Sequence, residues 1–346
     1  MKDIGIDLGT SKVLIYVKDE GVLLNEPSVI AIDTDTKEIL AVGEAANSML
    51  GRTPNKVKAI KPLKEGVIAD FEYACAMLDE FIKKIKKRNT LKKSIVIICA
   101  PTNITKVEKN ALYDLIDNLG VKKIYIEEEP KAAALGCGLD IDKASGVMLV
   151  DIGGGSTDIA ILSLSSVVES TSLKVAGNTF DKAIIDYIKE KYDILIGENK
   201  AEEIKISLGT LIDIDEDNSI EIKGRSLSTG VPKTITINEE EIKEALIPQI
   251  DKIIVEIKNI LETVSPELSS DIVEKGIYIT GGGALIKGIA SYIEEAIKIP
   301  VYISENPLTC IAEGCGILLN NPKDLNKNCW LNSTVLFYFI KSLLYN

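Results

Sequence analysis

The chain has 346 residues, 46% of them apolar and 27% charged, with a formal net charge of −12 and no histidine. That length accommodates roughly two domains, and that apolar share excludes a disordered chain. The acidic balance excludes a general nucleic-acid binder, which must bring positive charge to displace counterions from phosphates. It leaves a nucleotide site open, because backbone N–H groups, one metal ion and a local lysine suffice to hold a few phosphates. Without histidine, acid–base chemistry falls to carboxylates. The six cysteines, Cys75, Cys99, Cys137, Cys310, Cys315 and Cys329, have no Cys-x-x-Cys spacing and read as plain thiols. With no basic-then-apolar leader at Met1, and no apolar run near the roughly 20 residues of a spanning helix, a cytoplasmic protein is expected.

In chain order, residues 3–17 read as an apolar strand ending in Asp7, a Gly/Thr/Ser turn and a second apolar strand. Strand patterns follow in 29–41 and 95–100, with helical patterns near 74–86 and 107–119, which suits a mixed sheet flanked by helices. Residues 148–162 repeat the first construction, with Asp151 before Gly153, Gly154, Gly155 and Ser156, so the chain is expected to contain two related halves. In both, the glycines open a strand and not a helix, which excludes a P-loop and a dinucleotide-binding fingerprint. Either hairpin alone is equally well a tight turn with Asp as turn former. The matched pair points to phosphate, with glycines admitting the backbone, N–H and hydroxyl groups donating, and Asp7 and Asp151 facing across a cleft as water-mediated Mg²⁺ ligands. A third run, Gly281, Gly282 and Gly283, follows the apolar stretch 276–280 and precedes a helical pattern expected from Ala284 to Ile297. Glycine there lets the backbone lie against a planar base.

Asp7-Leu-Gly-Thr10, Asp151-Ile-Gly-Gly-Gly-Ser-Thr157 and Thr280-Gly-Gly-Gly-Ala284 resemble the two phosphate motifs and the adenosine motif of the actin-like ATPase superfamily, which includes actin, heat-shock chaperone ATPases and sugar kinases. Longer stretches, among them Leu24-Asn-Glu-Pro-Ser-Val29, Pro62-Leu-Lys-Glu-Gly-Val-Ile-Ala-Asp-Phe71 and Cys99-Ala-Pro-Thr-Asn-Ile-Thr105, are similar to the MreB/Mbl family from Met1 to about Asn320. The resemblance implies an α/β, actin-like fold of two ribonuclease-H-like domains, each with a small inserted subdomain, and a nucleotide in the interdomain cleft. Domain I would comprise 1–31, 76–143 and 309–346 with its insertion at 32–75. Domain II would comprise 144–179 and 243–308 with its insertion at 180–242.

The same resemblance implies a site. Glu129, just before a helix, would position the attacking water, although by itself it reads equally as part of a solvated acidic run with Glu127 and Glu128. Gly9, Thr10, Ser11, Lys12, Gly153, Gly154, Gly155, Ser156 and Gly177 would surround the phosphates. Glu202 and Lys205, spaced to share a helix face, would grip the nucleoside, unless they form an ordinary ion pair. Gly281, Gly282, Gly283, Ala284 and Leu285 would meet the base, and Asp7 and Asp151 the Mg²⁺ of bound ATP or ADP. Lys12 stands where the family usually has a small amide, and Ser156 where it has threonine.

The implied function is a slow ATPase coupled to filament assembly that organises cell shape. Its partners would be further copies of the chain, the inner face of the cell membrane, and cell-wall elongation machinery or scaffold proteins. A soluble small-molecule kinase of the same superfamily is the alternative, and it needs an acceptor pocket that the short first insertion does not suggest. A chaperone ATPase is a third reading, disfavoured because the chain ends without a peptide-binding domain. The tail after Asn321 carries Leu336, Phe339, Ile340, Leu343 and Leu344 as a helical stripe, expected to lie on a membrane or pack on protein; the loop at 88–93 offers only Leu91 as an apolar anchor.

Overall fold

The structure is a computed structural model that describes residues 3–85, 91, 94–212, 214–215, 217–321 and the backbone of 329–331. The whole tail stripe and most of the 88–93 loop therefore lie outside the described residues. The chain divides into two compact units, the first made of Met1–Asp142 with Thr309–Asn346 and the second of Lys143–Leu308.

In the first unit, short apolar runs rich in Ile and Val, most of them buried, produce a six-stranded sheet. Its order is Cys329–Leu331, Lys123–Glu128, Ile95–Ala100, Ile4–Leu8, Lys12–Val17 and Gly21–Pro27. The second unit has a five-stranded sheet in the order Ser166–Leu173, Thr157–Ser163, Val147–Ile152, Ile277–Thr280 and Val301–Ile303. Both follow one plan: a first strand antiparallel to a second, the second antiparallel to a third, and on the other side of the first a parallel fourth and a parallel fifth. The repeat read from the two hairpins is thus a repeat of whole sheets.

Each core is built from Ile-rich strand faces and helix stripes. Helix Phe71–Lys84 buries Ala74, Met77, Leu78, Phe81 and Ile82, the spacing of one helical face, and Asp70 caps it by accepting from the Tyr73 N–H. Helix Glu239–Thr263 starts with a reciprocal cap between Asn238 and Glu241 and lays Ile242, Leu246, Ile250, Ile253 and Ile257 into the core of the second unit. Small three-stranded sheets complete each unit: Ile39–Val42, Ile30–Asp33 and Val57–Ile60 in the first, Ile194–Leu195, Ser219–Ser226 and Pro232–Asn238 in the second. Among the described residues, no helix is long and apolar enough to cross a membrane.

One expected element differs. The third glycine run opens a single 3-10 turn, Gly282–Leu285, and the α-helix begins only at Ile289. The chain breaks between them because Gly288 takes a φ of +79°, which a right-handed helix cannot include.

Candidate functional site

The two hairpins close with the same turn. In the first unit Leu8 pairs with Val13 and Asp7 with Leu14; in the second, Ile152 pairs with Thr157 and Asp151 with Asp158. Gly9 and Gly153 therefore hold one position, and so do Lys12 and Ser156. The close approach at the glycines is also shared. A Cβ on Gly9 would lie 2.8 Å from the Lys12 carbonyl oxygen, and one on Gly153 3.1 Å from that of Ser156. A side chain at either place would open the turn that exposes its backbone N–H groups.

In the first unit, Ser28 buttresses the turn: its hydroxyl donates to the Gly9 carbonyl at 2.6 Å, and its N–H to that of Ser11 at 2.9 Å. Thr10 is buried and its Oγ1 accepts from the Gly66 N–H at 2.8 Å, which ties the turn to the segment between strands Leu63–Lys64 and Val67–Ile68. Lys12 is exposed. The parallel strands Ile4–Leu8, Ile95–Ala100 and Lys123–Glu128 bring Asp7, Cys99 and Glu127 to their carboxyl ends, where open α/β sheets bind ligands. Burial pushes Asp7 up to about 7. A carboxyl desolvated this way is suited to a nearby cation, whose charge favours its ionised form.

Glu129 is half-buried at the first position of helix Glu129–Gly136, with Pro130 next, as suits a helix start. The neighbouring acids are not a solvated run. Glu127 is 1% exposed and its Oε2 lies 3.3 Å from Nζ of Lys131, itself 4% exposed. Burial and the Glu127 charge push Glu128 up. Cys99 lies within electrostatic range of Asp7 and Glu129, and its thiol is held well above the usual range by the Cys315 thiol, 3.1 Å away, and by burial. The five cysteines with described side chains form no disulfide.

In the second unit the candidate residues converge. The N–H groups of Gly177 and Asn178, at the start of helix Gly177–Tyr192, donate to the carbonyls of Gly153 and Gly154 at 3.0 and 2.8 Å. The positive end of a 16-residue helix therefore abuts the 153–156 turn, an arrangement suited to an anion. Lys205, half-buried on helix Glu198–Leu208, donates to the Gly177 carbonyl at 3.2 Å and pairs with Asp181 at 2.8 Å. Its ion-pair partner is thus Asp181 and not Glu202, which is exposed on the same helix. Gly281 has φ of +82°, and a Cβ there would stand 2.4 Å from Asp151 Oδ1, so the third glycine run presses directly on the end of the Asp151 strand. Gly283 and Ala284 are buried and Leu285 is exposed. The backbone of Lys287 exchanges hydrogen bonds with Leu211 and Gly209, joining the glycine run to the end of the Lys205 helix.

Two acids escaped the motif reading. Asp181 follows Phe180 on the helix next to the turn. Asp158 is 2% exposed and lies in strand Thr157–Ser163, every residue of which is buried. An acid next to the apolar run 159–162 was the available signal. Burial pushes Asp158 up, against hydrogen bonds from Ser172 and Ser156 that pull it down.

Among the described residues no group of three or more His, Cys, Asp or Glu side chains is arranged to hold a metal directly. Single carboxylates such as Asp7 and the 7%-exposed Asp151 fit Mg²⁺, which keeps most of its waters and takes few protein ligands.

The chain matches the family described as MreB/Mbl protein over residues 1–327. It is 52% identical over 326 residues to the cell shape-determining protein Mbl of Bacillus cereus, covering 94% of this chain and 98% of that protein. It is 46% identical over 319 residues to the cell shape-determining protein MreB of Escherichia coli K12, covering 91% and 92%. Among solved structures it resembles MreB 5 of Spiroplasma citri bound to AMPPNP, with a TM-score of 0.90, 40% identity and coverage of 93% of this chain and 97% of that one. A MamK double helical filament shares the fold, with a TM-score of 0.77 at 22% identity. With the duplicated sheet, the paired aspartate–glycine turns and these relatives in view, the chain belongs to the MreB/Mbl family of actin-like proteins.

Proposed function

We propose that this chain binds ATP, hydrolyses it slowly, and couples that cycle to assembly into filaments that organise cell shape at the inner face of the membrane. The observation that carries this reading is the four-residue turn in matching register in each unit, with Gly9 and Gly153 pressed on the carbonyls of Lys12 and Ser156 behind Asp7 and Asp151. Membership of a family whose relatives are named cell shape-determining proteins supports the cytoskeletal reading over the kinase, and the AMPPNP- and ADP-bound Spiroplasma citri structures support the nucleotide.

In this reading the N–H groups of 9–11 and 153–156 hold phosphate oxygens, helped by the start of helix Gly177–Tyr192 and by Lys205. Gly281–Leu285 lies along the base and Glu202 accepts from ribose. Asp7 and Asp151 hold the waters of Mg²⁺, which supplies neutralising charge to the phosphates. Glu129 orients the attacking water, a sufficient role where catalysis is mostly positioning. The tail from 321 to 346 contacts the membrane, and wall-synthesis or scaffold proteins bind the filament.

Sedimentation with and without ATP, together with phosphate release, tests the core of this proposal. ATP-dependent pelleting with slow release is the expected result; a protein that stays in the supernatant and phosphorylates a small acceptor overturns it. For the tail, truncation at Asn321 is expected to abolish liposome co-sedimentation while leaving ATP binding intact. Undiminished pelleting of the truncated chain with liposomes removes the tail as the anchor.

A further inference from the structure

The two hairpins share one register but differ in what stands opposite the aspartate. Across from Asp7 is Leu14, 3% exposed; across from Asp151 is Asp158, 2% exposed. Residues directly opposite in an antiparallel pair share a sheet face, so an apolar side chain satisfies the fold at this place and an acid is not required by packing. Burying the acid there is costly, and two serine hydroxyls, those of Ser172 and Ser156, engage its carboxylate. Ser156 Oγ, at the last position of the phosphate turn, donates to Asp158 Oδ2 at 3.0 Å.

A serine hydroxyl has one proton and two lone pairs. With the proton committed to a carboxylate, Ser156 has no hydrogen left for a phosphate oxygen and presents only lone pairs to the site. Of the groups gathered at a nucleotide's phosphates, water donates to such an acceptor and phosphate oxygens do not. We propose that Asp158 is a positioning residue for ATP hydrolysis, holding the Ser156 hydroxyl as an acceptor that aligns the attacking water; this rests on the ATPase reading above. It also separates the roles of the two turns. The equivalent position in the first unit is the exposed Lys12, which offers a cation and has Leu14 in place of the acid.

The test compares wild type, Asp158→Asn, Asp158→Leu, Ser156→Ala and the Asp158→Asn/Ser156→Ala double variant, by single-turnover phosphate release and by equilibrium titration with a fluorescent ATP analogue. Asn turns an amide donor toward Ser156, and Leu copies the residue the first hairpin already carries. Both are expected to slow release ~10- to 100-fold, while analogue affinity stays within about threefold of wild type. The double variant is expected to release phosphate no more slowly than Ser156→Ala alone. Wild-type rates in both Asp158 variants, multiplying effects in the double variant, or an affinity loss as large as the rate loss each overturn the positioning role. A wild-type chain that binds the analogue but releases no phosphate from ATP overturns the ATPase reading itself, and this role with it.

Discussion

Lys205 Nζ stands 2.8 Å from Asp181 Oδ1, a largely buried pair that fixes the helix Glu198–Leu208 against the start of helix Gly177–Tyr192. The lysine therefore has a structural partner and a place beside the 153–156 turn at once. Lys205→Met leaves Asp181 uncompensated and is expected to cost about 2 kcal/mol of stability by urea denaturation. It should also weaken ATP binding by roughly tenfold. Adding Asp181→Asn should restore most of the stability and none of the affinity; recovery of both would show that Lys205 does not meet the nucleotide.

Glu127 and Lys131 form a second buried pair, one turn apart at the start of helix Glu129–Gly136. Removing one partner strands the other charge in the interior, so Glu127→Ala is expected to lose about 3 kcal/mol. The double change Glu127→Leu with Lys131→Met fills the same space without charge and should fall within about 1 kcal/mol of wild type. Thermal denaturation of the three proteins decides the matter, and equal losses in single and double variants would contradict it.

Glu129 is the first residue of the same helix, half-buried. Glu129→Ala is expected to leave ATP binding near wild type and to slow phosphate release on the order of 10²-fold, since it removes a group that positions water and not one that holds the nucleotide. Phosphate release at the wild-type rate in this variant would remove Glu129 from the mechanism.

Asp7 gives a pH dependence with a definite sign. Burial pushes its carboxyl from the ordinary carboxylate range up to about 7, so the folded chain binds the proton more tightly than the unfolded chain. Without a cation, Asp7 is thus neutral to stability near pH 3 and increasingly destabilising as pH rises from about 4 through 7. Asp7→Asn should therefore be more stable than wild type at pH 8, by on the order of 3 kcal/mol, with the difference vanishing near pH 4. Mg²⁺-dependent ATP affinity should rise with pH through the same window in wild type and stay flat in the variant. A stability difference independent of pH would refute the assignment.

The sequence by itself determined the two hairpins, their duplicated plan and the glycines of the two turns, because these depend on local rules. Strand alternation places Asp7 and Asp151 at strand ends, and closely approached turns demand Gly9 and Gly153. Tertiary structure alone decided which acids are buried and whom they face. Nothing local distinguishes Glu127, enclosed with Lys131, from the half-buried Glu129 two residues on. Nothing in the Glu202–Lys205 spacing points to Asp181 as the lysine's partner. Strand register sets Asp158 opposite Asp151, and the packing of Gly281 against Asp151 joins segments distant in sequence. The physical reason is the same in each case: a carboxylate's chemistry is set by the dielectric and the donors around it, and both are assembled from segments that meet only when the sheets have formed.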